Sequence, residues 1–154
     1  MTNPTPKLRR RLLSLIYEFF LLIAVLMIAG VIFHLIIRDT EAVYFMPLFQ
    51  FYLLIIMGVY FVWFWTHGGQ TLAMQTWKMR VVTADGNKLE MRQAVVRYLL
   101  AVASVLIFAV GGVLLLGVAG ALFFCVGFLW AIFDRDKQFL HDRLARTRVV
   151  IVED

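Results

Sequence analysis

The sequence has one cysteine, Cys125, so an intrachain disulfide is excluded, and a CxxC metal or redox site is absent. Proline is also scarce. Pro4 and Pro6 loosen the extreme N-terminus, and Pro47 falls where a helix would begin, a position that tolerates a missing amide donor. Charge is the largest deficit: 16% of residues are Asp, Glu, Lys or Arg, against about a quarter in ordinary soluble domains. HExxH, GxSxG and paired acids within an apolar run are all missing. Gly68 and Gly69 lack the lysine and preceding strand of a phosphate loop. These absences leave no room for a soluble catalytic domain, and an enzyme is not expected.

What is abundant is apolar surface. Of 154 residues, 62% are hydrophobic, and mean hydropathy is +0.85. Residues 12–37 form one uncharged run but for Glu18. A helix is the expected state, since a lone strand in lipid leaves its backbone groups unpaired. The run is too long for a signal-peptide core, and no convincing cleavage site follows it. A second span is expected over 43–65, ending in Tyr60, Phe61, Trp63, Phe64 and Trp65, rings that favour the headgroup level. Residues 95–133 carry one charge, Arg97. As a single helix they would reach roughly 58 Å, about twice the hydrocarbon core. Two spans, 95–113 and 117–133, are therefore expected, reversing at Gly111, Gly112, Gly117 and Gly120.

The polar stretch 66–94 reads as a cytoplasmic loop. Alternation around Trp77–Val82 and the turn residues Asp85, Gly86 and Asn87 suggest a short surface hairpin or an interfacial helix over 70–80. In the tail, 134–154, a short helix near 137–146 precedes a strand-like VVIV. Fourteen of the 15 basic residues fall in the N-terminal tail, the 66–97 stretch and the C-terminal tail. Basic residues beside short loops stay in the cytoplasm. With four spans, all three segments share that side. The expected architecture is an all-α, polytopic four-helix bundle with short cytoplasmic interfacial elements. It forms one domain over 1–154 in the bacterial inner membrane, with both termini cytoplasmic.

Glu18 is the only acid within a span, and intramembrane acids are costly enough to mark function or specific packing. Arg11 lies seven residues earlier, on the same helix face, with Ser14 between them. An interhelical hydrogen bond or ion pair is the expected role of Glu18; a proton or cation site is the alternative. The three histidines form no haem site. His67, His141 and Asp142 have no spacing that demands a metal, and no cofactor is expected.

RRRLLSLIYE (9–18), GGQTLAMQTWKMRVV (68–82) and FLWAIFDRDKQFLHDRLARTRVV (128–150) together resemble the bacterial RDD family, named for one arginine and two aspartates. The resemblance maps the arginine onto Arg11, the second aspartate onto Asp142 and the first onto Glu18, which is one methylene longer. Joining Arg11 to Asp142 would clamp the tail to the bundle entrance. Some relatives are reported to act in sodium/proton antiport. The expected function is an oligomeric scaffold, accessory or regulatory membrane component; the alternative is a Na⁺/H⁺ transporter using Glu18. Expected partners are membrane lipids, further copies of the chain and, for the transporter, Na⁺ or H⁺; nucleic acid is not one.

Overall fold

A chain with so much apolar surface must decide which face of each helix to hide. The computed structural model describes residues 5–38, 43–116 and 139–152. In chain order these form α1 (Leu8–Ile36), α2 (Phe45–His67), α3 (Leu72–Thr76), β1 (Met79–Thr83), α4 (Met91–Leu116), α5 (Leu140–Leu144) and β2 (Thr147–Ile151). Helices α1, α2 and α4 are long and apolar enough to cross a membrane.

Their burial is inverted relative to a soluble protein. On α1 the buried residues are Arg11, Ser14, Glu18, Ala29 and Phe33, one stripe at helical spacing. Phe19, Phe20, Met27 and Ile28 on other faces are 61–67% exposed. Polar groups inside and large apolar groups outside fit a helix surrounded by hydrocarbon. Helices α1 and α2 run antiparallel: Phe33 packs on Phe49 and Tyr52 at one end, with ring centroids 5.1 and 5.0 Å apart. Tyr60 reaches Glu18 at the other. Helix α4 packs on α2 where Gly58 leaves room for Tyr98, whose Cε1 would lie 2.9 Å from an added Cβ. The Tyr98 hydroxyl donates to the Leu54 carbonyl at 2.6 Å.

Several expectations change. The helix starts and ends shift by a few residues, so that Arg9, Arg10 and Arg11 lie within α1 and Arg92 within α4. Helix α4 continues through Gly111 and Gly112 to Leu116 without reversing. Breaking its ladder in apolar surroundings would strand backbone groups, whereas glycine within it costs little more than about 1 kcal/mol. Gly117, Gly120 and the expected span 117–133 lie outside the described residues. The fold is not purely helical, because β1 and β2 form a two-stranded antiparallel sheet, pairing Met79 with Ile151 and Thr83 with Thr147. The expected local hairpin is thereby corrected. The turn at Asp85–Gly86 forms, with the Gly86 amide donating to the Thr83 carbonyl at 2.9 Å, but it leads towards α4. Met79, Val81 and Val82 are buried, and polar Lys88 and Glu90 cannot match them as the apolar VVI of the tail does. The interfacial helix narrows to α3, and the tail helix to α5.

The sheet caps one end of the bundle, where Trp65, Met79, Val81, Leu89, Ala94 and Val149 form the buried core. The cap is an internal repeat. Each residue of α5–β2 lies 68 positions after its counterpart in α3–β1: Leu72 with Leu140, Arg80 with Arg148, Val81 with Val149 and Val82 with Val150. Lys78 and its counterpart Arg146 both adopt positive φ, 49° and 51°, where each short helix gives way to its strand. The flanking bonds are reciprocal as well: Val152 N–H donates to Lys78 C=O and Ala84 N–H to Arg146 C=O, both at 2.9 Å. A pseudo-two-fold axis therefore passes through the sheet.

Gly69 fastens this cap to α2. Its φ is +69°, and an added Cβ would lie 2.9 Å from the Val81 carbonyl oxygen, while Val81 N–H donates to Gly69 C=O at 2.7 Å. Gly69→Ala is expected to cost about 1–3 kcal/mol in thermal unfolding. Gly68→Ala, with open space around it, is the near-neutral control.

Candidate functional site

The polar stripe of α1 meets the cap in two clusters. The first centres on Asp142, which is fully buried. One carboxylate oxygen pairs with Arg11 and also accepts the Phe139 amide at 3.0 Å. That second bond closes the first turn of α5 in the manner of a capping box. The other oxygen pairs with Arg97 of α4. Arg97 also donates to the Thr147 hydroxyl at the start of β2, and that hydroxyl donates to the Asp142 carbonyl at 3.3 Å. Each guanidinium lies over a ring: Arg11 over Phe139 at 4.1 Å, Arg97 over Trp65 at 4.8 Å. Flat, weakly hydrated guanidinium groups suit such stacking, which an ammonium would make less well. Asp142 thus ties α1, α4 and α5 together through its carboxylate, and β2 through its main-chain carbonyl.

The second cluster centres on Glu18. Its two oxygens accept from the Tyr60 hydroxyl of α2, at 2.7 Å, and from the Thr71 hydroxyl. Thr71 is the N-cap of α3, its side chain accepting from the Met74 amide at 3.3 Å. Glu18 thus joins α1 to α2 and α3.

Arg11 and Asp142 are therefore in contact, whereas Glu18 binds two neutral hydroxyls in place of Arg11. Arg97, Thr71, Tyr60 and Thr147 were not singled out from the sequence. Arg97 carried a signal, as the lone charge of 95–133; the hydroxyl residues carried none. Ser14, Glu18, Leu22, Met57, Trp65 and Val105 border an apolar cleft of about 320 Å³ between the long helices. Among the described residues no group of three or more His, Cys, Asp or Glu could hold a metal ion. His67 stacks on Trp63 with ring centroids 3.8 Å apart.

Compared with known proteins, residues 5–146 match the model of the RDD family. No curated protein and no solved structure matches the chain.

Proposed function

Because the chain belongs to the RDD family, we propose that it is a multi-pass protein of the bacterial inner membrane. It acts as an oligomeric scaffold, accessory or regulatory component and not as an enzyme. The observation that carries this reading is the closure of both carboxylates on the protein itself. Asp142 is spent on two arginines and an amide, and Glu18 on two hydroxyls. Groups engaged in this way hold elements together and offer little to a substrate.

The topology follows by parity, as one domain over 1–154. Helix α4 starts beside the cap and ends at Leu116, roughly 38 Å away at 1.5 Å per residue. Phe139 is back at the cap, under Arg11. A fourth crossing between them, over about 117–133, accounts for both positions. It makes the second half a repeat of the first: two spans, a short helix and a strand. The cap, with most of the basic residues, then faces the cytoplasm.

The second reading, a cation/proton transporter using Glu18, draws on the cleft that Glu18 and Ser14 border. Oriented liposomes holding purified protein under a pH gradient separate the two. The scaffold reading expects no Na⁺ or H⁺ flux above empty liposomes. It also expects Glu18→Gln to fold, since an amide oxygen still accepts one hydroxyl, and light scattering in detergent to show more than one chain per particle. Flux that Glu18→Gln abolishes, from a strictly monomeric particle, would establish transport and overturn the scaffold.

A further inference from the structure

The pseudo-two-fold axis generates two equivalent grooves at the cap, and their linings differ. One, of about 540 Å³, runs along the start of α4 and is lined by Glu90, Arg92, Gln93 and Val96, with Ala145 and Thr83 among its other walls. The other, of about 410 Å³, runs along the start of α1 and is lined by Lys7, Arg9, Arg10, Leu13, Trp77 and Ile151. The helix residues correspond at a constant offset of 83, Lys7 with Glu90 through Leu13 with Val96; the cap residues correspond at 68, Trp77 with Ala145 and Thr83 with Ile151.

Going from the α4 groove to the α1 groove, Glu90 becomes Lys7, Gln93 becomes Arg10, Ala145 becomes Trp77 and Thr83 becomes Ile151. The α4 groove sets Asp85 and Glu90 among Lys88, Arg92 and Arg146, which offsets most of its positive charge. Among the described residues no carboxylate lines the α1 groove. Glu153, the counterpart of Asp85, lies outside them.

The basic residues also sit where a helix wants anions. The first turn of α1 contains no acid, and its N-cap, Lys7, makes no side-chain capping bond. Cations there oppose the helix dipole, and among the described residues no carboxylate in the groove offsets them. Beyond them, Leu13 lies roughly 9 Å along the axis from Lys7, on the face that carries Lys7, Arg10 and Tyr17. Tyr17 packs edge-on against Trp77, centroids 6.0 Å apart. The indole N–H of Trp77 is buried and finds no acceptor among the described residues. Charge thus gives way to apolar surface in the direction of the membrane interior.

We propose that the α1 groove binds an anionic phospholipid of the leaflet at the cap end, through its phosphate at Lys7, Arg9 and Arg10 and its upper acyl chain on Leu13, Trp77 and Ile151. The site rests on the membrane setting alone, and fails or stands independently of whether the protein is a scaffold or a transporter.

The test uses the purified full chain in detergent, titrated with phosphatidylglycerol or phosphatidylcholine and read by native mass spectrometry and thermal unfolding. Phosphatidylglycerol is expected to be retained about ten-fold more strongly and to raise the unfolding temperature. The triple variant K7E/R10Q/W77A, which installs residues the fold already holds in the related groove, is expected to lose that preference. E153Q is expected to keep it. Inorganic phosphate at the same concentration is expected to give no protection. A second measurement does not depend on the triple variant's folding: in wild-type protein, phosphatidylglycerol brominated on the acyl chain should quench tryptophan emission more than brominated phosphatidylcholine does, and the excess should vanish in the conservative W77F. Equal retention of the two lipids, a preference that survives the triple variant, equal protection by phosphate alone, or quenching unchanged in W77F would overturn the proposal.

Discussion

Replacing Asp142 with alanine is expected to destabilise the protein by about 3–5 kcal/mol, the cost of removing one partner from a buried ionic network. Arg11 and Arg97 are 3% and 2% exposed, so neither can recover the lost carboxylate's contribution from water. The Phe139 amide loses its acceptor in the same step, which adds to the effect. Asp142→Asn separates the two contributions: the amide oxygen still accepts from Phe139, while the charge that holds both guanidinium groups is gone. Its loss is expected to fall between wild type and alanine. Thermal or denaturant unfolding in detergent measures both. An alanine variant within about 0.5 kcal/mol of wild type, the range of inconsequential surface changes, would show that the contact contributes nothing.

Ending the chain at Arg146 is expected to open the cap while leaving membrane insertion intact. The deletion removes β2, and with it the five residue pairs from Met79↔Ile151 to Thr83↔Thr147. Val149 and Val150, 2% and 1% exposed, account for about 1.5–3 kcal/mol each of buried apolar surface. Arg97 loses the Thr147 hydroxyl, and Met79 and Val81 lose their cover. Insertion depends on the apolar length of α1, α2 and α4, which the deletion does not touch. Trypsin added to the cap side of membrane vesicles is expected to cut at Arg80 in the shortened chain and to spare that bond in the full one. Identical digestion patterns would show that the sheet does not close the cap.

The long helices were legible because hydrocarbon imposes a simple demand on length and polarity. Residues 12–37 and 43–65 could hardly be anything else, and the structure moves their ends by a few residues. The join between Arg11 and Asp142 was legible only through the family resemblance, since a separation of 131 positions gives no local clue. Glu18 stood out as an intramembrane acid, but its partners did not: Tyr60 looked like interface aromatic material, and Thr71 like loop. The sheet was misread because the turn at Asp85–Gly86 is a sound hairpin signal, and only the burial of β1 on both faces reveals the need for a distant apolar partner. The repeat was present in plain sight, as LAMQTWKMRVV and LHDRLARTRVV, yet only Leu, Arg and two Val coincide. Its shared feature, a positive φ carried by Lys78 and Arg146, is a backbone property that their side chains do not announce.

Sidedness offers the most direct trial of the whole account. Single cysteines placed at Thr5, Asp85 and Leu144, in a Cys125→Ser background, probe the start of α1, the cap loop and the tail. A membrane-impermeant maleimide should label all three in inverted vesicles and none in intact spheroplasts. Labelling any one of them from the face opposite the other two would contradict a cap built from both ends of the chain.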